Sequence, residues 1–232
     1  MDINIIDLKK FHEKIMTQFG QAGVLKKIFE EIKTTNKYFV EFGSDGTSTG
    51  EGNSAYLRVN YGFNGLLMDA TPRINTPYKV EHEFISSQNI NTLFDKYQVP
   101  LEFDFLSIDI DQNDWWVWYT LDKKYKPRVV SCESGSDFPK SLDIVQDELY
   151  TIQRPQPGLG SSALAIYNLG LYKGYDYVSH CGVDAIFIRN DIKHNFIKNN
   201  FNYIYDGPIY QIYKRIYDKS FSYSSSQEIL NK

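Results

Sequence analysis

Two short apolar segments that each end beside an acidic residue constrain the fold of this 232-residue chain more than any other feature. The first contains Glu41 and leads into the loop Gly43-Ser44-Asp45-Gly46, and the second ends at Asp69. In a doubly wound α/β sheet, such a loop lets the backbone approach a nucleoside-bearing cofactor, and an acid at the next strand tip binds the ribose hydroxyls. Because the loop does not read GxGxxG, the sequence favours S-adenosylmethionine over a nicotinamide or flavin dinucleotide.

The spacing of apolar residues predicts seven strands with helices between them. The predicted strands are Tyr38–Phe42, Leu66–Asp69, Val80–Ile85, Phe103–Asp109, Arg128–Glu133, Tyr175–Ser179 and Asp184–Arg189. Helices are expected over residues 24–32, 53–60, 89–97, 115–121 and 162–174, and Asn53 is expected to cap the second of them. Too few residues separate the last two strands for a crossover connection, so these two strands are predicted to be antiparallel.

This order of elements predicts an α/β protein with a Rossmann-like class I methyltransferase fold, in which a mostly parallel seven-stranded sheet has an antiparallel last strand and helices on both faces. Residues 1–36 are expected to form an N-terminal helical segment and residues 37–191 the Rossmann-like domain. Residues 192–232 are expected to form a helical appendage with a polar tail that frays over 221–227. Residues 134–160, rich in Ser, Pro, Gly and Gln, are interpreted either as a lid over the site or as a mobile loop without substrate contact.

The charge and composition of the chain limit the kinds of partner that are expected to bind the protein. The net charge of −4 disfavours binding to nucleic acid, because the neutralisation of phosphates requires a basic face. No apolar run approaches the ~20 residues that span a bilayer, so no membrane partner is expected. Cys132 and Cys181 are too few for a disulfide framework, and they are expected to be buried thiols of a cytoplasmic protein.

Strand four runs into a dense group of acids, Asp109, Asp111 and Asp114, which repel one another unless solvent, a donor or a cation intervenes. The pattern does not fit an EF-hand, because Asp114 stands at the required glycine position and Thr120 at the closing Glu position. Two enzymatic interpretations remain: the DxD motif of a nucleotide-sugar glycosyltransferase, or the strand-four motif of a methyltransferase. A third interpretation is structural, with Asp111 and Asp114 capping the following helix.

In the methyltransferase interpretation, Asp109 and Asp111 are the candidate catalytic residues. Asp109 orients or deprotonates the acceptor. Asp109, Asp111 and Glu133 are the candidate ligands for Mg²⁺, because hard oxygen ligands on adjacent strand tips suit this cation, which would lower the pKa of an acceptor hydroxyl.

Two further groups of residues have competing interpretations. Trp115 and Trp118 share a helix face that is expected to pack into the core, although the tryptophans of this helix, Trp116 included, also suit stacking on a sugar or a base. His180, at the end of strand six, is either a general base or a solvated loop histidine.

The order and spacing of several motifs resemble those of the FkbM-related class I methyltransferase-like proteins over most of residues 18–191. The segments that carry the resemblance are Gln18–Gly23, Phe39–Ser44, Gly65–Asp69, Leu106–Asp114, Trp116–Trp118, Tyr125–Val130, Ser162–Leu164, Lys173–Tyr175 and Ala185–Arg189. The resemblance implies a Rossmann-like fold, S-adenosylmethionine as cofactor, and methylation of a hydroxyl on a sugar-containing acceptor.

Motif position and the pattern of the first loop together define a set of candidate cofactor-binding residues. They are Glu41, Gly43, Ser44, Asp45, Gly46, Asn53, Asp69 and Asp109. The chain departs from similar proteins at Ala22, where an acid is common, at Gln112, where glycine is usual, and at Ser134-Gly135, where an asparagine often follows the strand-five acid. Because the departures surround the expected acceptor and metal region, they bear on the substrate more than on the cofactor.

The function expected from the sequence is therefore that of an S-adenosylmethionine-dependent methyltransferase. It would methylate a hydroxyl of a sugar or of a glycosylated small molecule, so its partner is a small carbohydrate-like acceptor, with Mg²⁺ as a candidate second cofactor. The alternatives are a metal-dependent nucleotide-sugar glycosyltransferase that uses the Asp109–Asp111 pair, and a methyltransferase-like binding protein without catalytic activity.

Overall fold

A mostly parallel sheet runs through the centre of the computed structural model, which describes residues 5–44, 46, 52–73, 75–135, 138–148, 160–207 and 223–231. The described strands in chain order are β1 (Tyr38–Phe42), β2 (Asn64–Asp69), β3 (Val80–His82), β4 (Glu102–Ile108), β5 (Lys126–Glu133), β6 (Val145–Gln146), β7 (Tyr175–Cys181), β8 (Asp184–Arg189) and β9 (Tyr223–Ser224). Seven of them form the main sheet in the order β3-β2-β1-β4-β5-β8-β7, and β6 pairs with β9 in a separate sheet.

The directions of the strands define the fold. Neighbouring strands are parallel from β3 through β2, β1 and β4 to β5, whereas β8 is antiparallel to both β5 and β7. Only Gly182 and Val183 separate β7 from β8, which is far too short a connection for a parallel crossover. The predicted Rossmann-like α/β fold with an antiparallel last strand is therefore confirmed.

Helices cover both faces of the sheet, as predicted. A 3₁₀ helix at Leu8–Phe11 precedes α1 (Gln21–Ile32), α2 (Ala55–Tyr61), α3 (Ile90–Lys96), α4 (Asp114–Thr120), α5 (Ala163–Tyr172), α6 (Phe201–Ile204) and α7 (Ser226–Leu230). Apolar residues of α1 and α2 pack on one face around Phe39 and Phe105, and residues of α3, α4 and α5 pack on the other around Leu106 and Val130. No helix in the described part of the chain combines the length and apolar character needed to cross a bilayer.

Most element bounds lie close to the predicted ones, and β1 and β8 have the predicted bounds. The predicted bounds of the third strand, Val80–Ile85, are wrong at the carboxyl end, because β3 ends at His82. Its partner β2 ends at Asp69, which pairs with His82 and whose carbonyl accepts a hydrogen bond from the Glu83 N–H (3.0 Å), so the pairing of the two strands stops there. Gly62 ends α2 in the left-handed conformation, with φ of 67°, as helix C-termini often require. The domain boundaries at residues 37 and 191 stay predictions.

The polar tail, predicted to fray over residues 221–227, is ordered in its described part. Tyr223 belongs to β9, and the start of α7 is held by Asp143, which accepts hydrogen bonds from Ser225 Oγ (2.6 Å) and Ser226 N–H (3.2 Å). Asn168 Nδ2 of α5 also donates to Ser226 Oγ (3.0 Å). Residues 221 and 222 lie outside the described part. From residue 223 onwards the prediction of fraying is wrong, because a distant acceptor satisfies the first N–H groups of the helix.

Candidate functional site

The carboxyl ends of β1 and β4 meet where Gly43 contacts Asp109. Gly43 has a left-handed φ of 70°, and a Cβ atom added to it would lie 1.8 Å from the Asp109 carbonyl oxygen. Only glycine fits this contact, since no side chain can approach an oxygen so closely. The Gly43 N–H also donates to the Met68 carbonyl of β2 (3.0 Å). The glycine that the sequence assigns to a cofactor loop is thus required by contacts within the sheet itself.

Three carboxylates lie together at the ends of β4 and β5, and we call Asp109, Asp111 and Glu133 the carboxylate cluster. Their oxygen atoms lie within 4.8 Å of one another. Asp111 is exposed and has φ of 70°, a conformation that Asp tolerates better than most residues. Asp109 and Glu133 are partly buried. The structure therefore brings together the three residues predicted for catalysis and metal binding.

Burial and mutual repulsion control protonation in the carboxylate cluster. Burial, followed by the charges of Asp184 and Asp114, raises the pKa of Asp109 well above its usual range. Burial, followed by the charge of Asp109, likewise raises the pKa of Glu133. A shared proton or a bound cation would relieve the repulsion between these two side chains.

Asp114 stabilises the turn that leads from β4 into α4. Its Oδ1 accepts a hydrogen bond from the Ile110 N–H (2.8 Å), and burial raises the pKa of Asp114 to about 7. The N-cap residue of α4 is Asn113, so the capping prediction for Asp111 is wrong. Asp114 lies one position further in, as the first residue of the helix, and closes the preceding turn.

Glu41 is buried and holds the start of α2. Its carboxylate accepts hydrogen bonds from the Ser54 N–H (3.2 Å) and from the Ser54 hydroxyl. Burial raises the pKa of Glu41, and the hydrogen bond from Ser54 and the charge of Arg58 oppose this rise. The carboxylate in turn satisfies an N–H without an intrahelical partner. Ser54 is the N-cap residue, so the prediction that Asn53 caps this helix is wrong.

A buried polar network lies beside Ser54. Its members are Gln21, Asn53, Ser107, Ser131 and Asp184. Asn53 Nδ2 donates to Ser107 Oγ (3.0 Å) and to Asp184 Oδ1 (3.1 Å), and burial raises the pKa of Asp184 to about 6. The sequence pattern does not single out Asp184, although an acid that opens an otherwise apolar strand is a usable signal.

Asp69 lies at the carboxyl end of β2, on the same edge of the sheet as the ends of β1 and β4. Its Oδ1 accepts hydrogen bonds from the Thr71 N–H (2.5 Å) and the Thr71 hydroxyl (3.3 Å), which shape the turn after the strand. Within the described residues, Oδ2 of Asp69 has no hydrogen-bond partner. This oxygen is therefore open to a hydrogen-bond donor of a ligand, and the predicted ribose contact of Asp69 stays a prediction.

Ser44 and Gly46 continue the loop after β1. Ser44 is buried, and its hydroxyl accepts a hydrogen bond from the Gly46 N–H (3.4 Å). Gly46 has φ of 74°, and a Cβ atom added to it would lie 2.5 Å from Val80 Cγ2, so this glycine is required for packing against β3. Asp45 and residues 47–51 lie outside the described part of the chain, and the contact of Asp45 with a cofactor stays a prediction.

The segment after β5 forms a wall next to the loop that carries Asp111. Trp116 Nε1 of α4 donates to the Gln146 carbonyl (2.7 Å), and the Gly160 N–H donates to Gln146 Oε1 (2.6 Å). A Cβ atom added to Gly160 would lie 3.9 Å from the Asp111 carbonyl oxygen. We call Val145–Gln146 with Gly160 the insertion wall. Residues 136, 137 and 149–159 lie outside the described part of the chain, so both the lid and the loop interpretations of residues 134–160 stay predictions.

The same segment reaches further along the edge of the sheet. Ser87 Oγ, in the loop before α3, donates to Glu148 Oε1 (2.6 Å), so residues 138–148 extend from β5 across α4 towards α3. Trp115 and Trp118 of α4 are fully buried, which confirms that they pack into the core. Trp116 is thus the tryptophan of this helix that borders the insertion wall.

His180 is buried in β7, so the interpretation as a solvated loop residue is wrong. Its ring lies 4.6 Å from that of Tyr205, measured between centroids. Burial lowers the pKa of His180 to about 3, which leaves the imidazole neutral at physiological pH. A base with so low a pKa is poorly matched to proton transfer near pH 7, which disfavours the general-base interpretation.

Comparisons with known proteins do not assign the chain to a family. No family model matches the sequence, and no curated protein matches it at a significant level. The function is therefore inferred from the fold and from the geometry of the residues at the carboxyl edge of the sheet.

Gly43→Ala and Gly62→Ala form a matched pair that tests the contact between β1 and β4. The two glycines have φ of 70° and 67°, but an added Cβ meets nothing within 4 Å at Gly62 and meets the Asp109 carbonyl at Gly43. We expect Gly62→Ala to lower the free energy of unfolding by about 1 kcal/mol through backbone strain alone. Gly43→Ala should lower it by at least about 2 kcal/mol more, because the two strand ends must separate. Urea unfolding measures both values, and equal losses would show that the contact does not constrain the fold.

The pKa of Asp114 predicts a pH dependence of stability. The carboxyl is expected to titrate near 3.8 when unfolded and at about 7 when folded. The contribution of Asp114 to the free energy of unfolding is therefore complete below about pH 4 and is lost as the pH rises through 7. The free energy of unfolding falls over this range with a limiting slope of about 1.4 kcal/mol per pH unit. Asp114→Asn keeps an acceptor oxygen for the Ile110 N–H and removes the titration.

The measurement is urea unfolding of wild type and Asp114→Asn between about pH 4.5 and 7.5. We expect the stability of the variant relative to wild type to increase steadily over this interval. A difference that stays constant with pH would contradict a carboxyl that keeps its proton in the folded state.

Proposed function

We propose that this protein is an S-adenosylmethionine-dependent methyltransferase that methylates a hydroxyl of a sugar or of a glycosylated small molecule. The observation that carries the proposal is the convergence of Gly43, Asp69 and Asp109 at the adjoining carboxyl ends of β1, β2 and β4. In doubly wound sheets, ligands bind outside the carboxyl ends of the strands, at the point where the strand order reverses. That point lies between β1 and β4 in this sheet.

The arrangement of the strands supports the same class of protein. The sheet of a dinucleotide-binding Rossmann domain contains two similar halves of parallel strands, whereas here the antiparallel β8 lies between β5 and β7. The loop after β1 also lacks the GxGxxG pattern that holds a pyrophosphate. Both features favour a nucleoside cofactor without a pyrophosphate, in agreement with the resemblance to class I methyltransferase-like proteins.

The residues at the strand ends fit this cofactor. When bound, S-adenosylmethionine supplies an activated methyl group on a positively charged sulfur atom. Asp69 Oδ2 would accept hydrogen bonds from the ribose hydroxyls, and the negative charge of the carboxylate cluster would favour a cationic ligand beside Asp109. The contact of Gly43 with Asp109 would keep the loop after β1 close to the reacting atoms.

Asp109 is the candidate catalytic residue towards the acceptor. Its pKa is raised, so once ionised it is a stronger base than an ordinary aspartate, and it would then accept the proton of the acceptor hydroxyl. Methyl transfer is an in-line displacement, and most of its acceleration comes from the positioning of the two reactants. The insertion wall and Trp116 border the space next to Asp111, where an acceptor would lie.

A hard divalent cation is the second candidate component of the site. The oxygens of Asp109, Asp111 and Glu133 lie within 4.8 Å of one another, and a cation with ligand distances of about 2.0–2.5 Å spans a similar distance between opposite ligands. Such a cation would offset the repulsion between Asp109 and Glu133. It would also orient an acceptor hydroxyl and lower its pKa.

Titration calorimetry with S-adenosylhomocysteine tests the cofactor assignment. We expect wild type to bind, and Asp69→Ala to bind more weakly by about one to two orders of magnitude, because a charged hydrogen-bond acceptor for the ribose is removed. Asp122→Ala is the matched control. Asp122 Oδ1 accepts a hydrogen bond from the Lys124 N–H (2.9 Å), as Asp69 does from the Thr71 N–H. Asp122, however, lies at the opposite edge of the sheet. A flat titration of wild type would overturn the proposed function.

A thermal shift with MgCl₂ tests the cation separately. We expect Mg²⁺ to raise the melting temperature of wild type and EDTA to slow methyl transfer, because the cation offsets repulsion in the carboxylate cluster. Asp111→Asn should abolish the shift, and this change is compatible with the left-handed backbone at position 111. Asp122→Asn is the control that retains the shift. Unchanged turnover in EDTA would exclude the metal while leaving the methyltransferase assignment in place.

A nucleotide-sugar glycosyltransferase is the second candidate function, because Asp109 and Asp111 keep the DxD spacing and lie together in the carboxylate cluster. Cation-dependent binding of a nucleotide sugar, with no binding of S-adenosylhomocysteine, would favour it. Binding of S-adenosylhomocysteine without turnover on any carbohydrate would favour the inactive methyltransferase-like protein. The proposal includes a cytoplasmic location, with which the buried free thiols Cys132 and Cys181 are compatible.

A further inference from the structure

Asp184 is the centre of the buried polar network, and both of its carboxylate oxygens are in use. Gln21 Nε2, at the start of α1, donates to Oδ2 (2.5 Å). Asn53 Nδ2 and Ser131 Oγ donate to Oδ1, at 3.1 and 3.3 Å. Each of these side chains, like that of Asp184, is at most 2 % exposed. A carboxylate so deeply buried is retained only with well-placed donors.

The donors come from separate parts of the chain that meet at one point. Gln21 belongs to α1, Ser131 to β5, and Asn53 directly precedes the N-cap residue of α2. The orientation of the Gln21 amide is fixed as well, because its Oε1 accepts a hydrogen bond from the Phe19 N–H (3.0 Å). Asp184 thus connects the N-terminal helix to the residue at which the loop after β1 enters α2.

The loop after β1 is held at its α2 end by two buried carboxylates. Glu41 accepts the hydrogen bonds of Ser54, and Asp184, together with the Ser107 hydroxyl of β4, accepts those of the neighbouring Asn53. The first attachment comes from β1, on which the loop begins, so it cannot by itself fix the loop relative to the far side of the sheet. The second attachment comes from β8, which pairs with β5 through Glu133 and Asp184.

We propose that Asp184 is a positioning residue that fixes the α2 end of the loop after β1, through Asn53, in the place where the nucleoside cofactor binds. The part of this inference that concerns the ligand rests on the proposed function. The part that concerns the loop does not, because it follows from hydrogen bonds within the protein. A buried carboxylate that merely fills the core would affect global stability without a local effect at the start of α2.

NMR-detected amide hydrogen exchange tests the positioning directly. The reporters are the Ser54 N–H, bonded to Glu41, and the Ala55 N–H, bonded to the Gly52 carbonyl (3.1 Å). We expect Asp184→Ala to raise the exchange rates of both amides by about tenfold or more relative to core amides of β4 and β5, because the neighbouring Asn53 loses its charged acceptor and keeps only the Ser107 hydroxyl. Ser131→Ala, which removes another donor to the same oxygen but touches no part of the loop, should leave both rates within about twofold.

A charge-swapped pair, in which Asp184→Asn is combined with Gln21→Glu, keeps the test valid if Asp184→Ala fails to fold. In Asp184→Asn, the new NH₂ group faces the Gln21 Nε2 donor when the remaining oxygen still accepts from Asn53. Gln21 cannot turn its own oxygen towards this NH₂ group without losing the hydrogen bond from the Phe19 N–H. Adding Gln21→Glu supplies a carboxylate for the new amide group and leaves the remaining oxygen to Asn53. We expect the single variant to speed exchange at Ser54 and Ala55, and the double variant to restore it. Exchange that is equally fast in both variants, or unchanged in both, would overturn the positioning role.

Calorimetry with S-adenosylhomocysteine on the same variants tests the link to the ligand. We expect about tenfold weaker binding for Asp184→Ala, wild-type binding for Ser131→Ala, and recovery in the charge-swapped pair. Wild-type affinity in Asp184→Ala would overturn the ligand part of the inference while the proposed function stands. If wild type itself does not bind, the proposed function fails, and the exchange rates at Ser54 and Ala55 still decide whether Asp184 fixes the loop.

Discussion

The close approach of Gly43 to the Asp109 carbonyl is the constraint on which the rest of the site depends. It brings the end of β1 against the end of β4, while the Gly43 N–H binds Met68 of β2. Three strand ends are thereby fixed by a single residue that has no side chain. Since the chain must then turn back towards α2, the buried carboxylate of Glu41 can meet the first turn of that helix, and Asp109 is held beside Glu133.

The pleat of the sheet explains why polar residues collect at this edge. Glu41 pairs with Ser107, and Ser107 pairs with Ser131, so these three side chains point to the face that α1 and α2 cover. Two residues earlier on each strand, Phe39, Phe105 and Val129 form an apolar layer on the same face. Two residues later on β4 and β5, the carboxylate cluster begins. The side chains on this face thus change from apolar to charged towards the carboxyl ends of the strands, because every second residue of a strand points to the same face. The apolar layer stabilises the domain, and the charged end is the part that can bind a ligand.

Much of this arrangement is predictable from sequence because it depends on local patterns. Mostly apolar runs define β1 and β8. The acids at the carboxyl ends of parallel strands must share one edge of the sheet, which is why Asp69, Asp109, Asp111 and Glu133 could be placed there. The buried network of Asp184 could not be predicted, because its donors are 163 residues away in the case of Gln21 and 131 in the case of Asn53. The burial of His180 beside Tyr205 likewise depends on a long-range contact that no periodicity encodes.

The pairing of β6 with β9 has a consequence for biosynthesis. Asp143 precedes its partner Ser225 by 82 residues, so during translation the ribosome must release the later segment before the earlier one can acquire its partner. The Rossmann-like sheet can assemble first, as N-terminal portions generally do. The insertion wall that borders Asp111 would then be completed last, after the carboxylate cluster and the sheet that carries it are already in place.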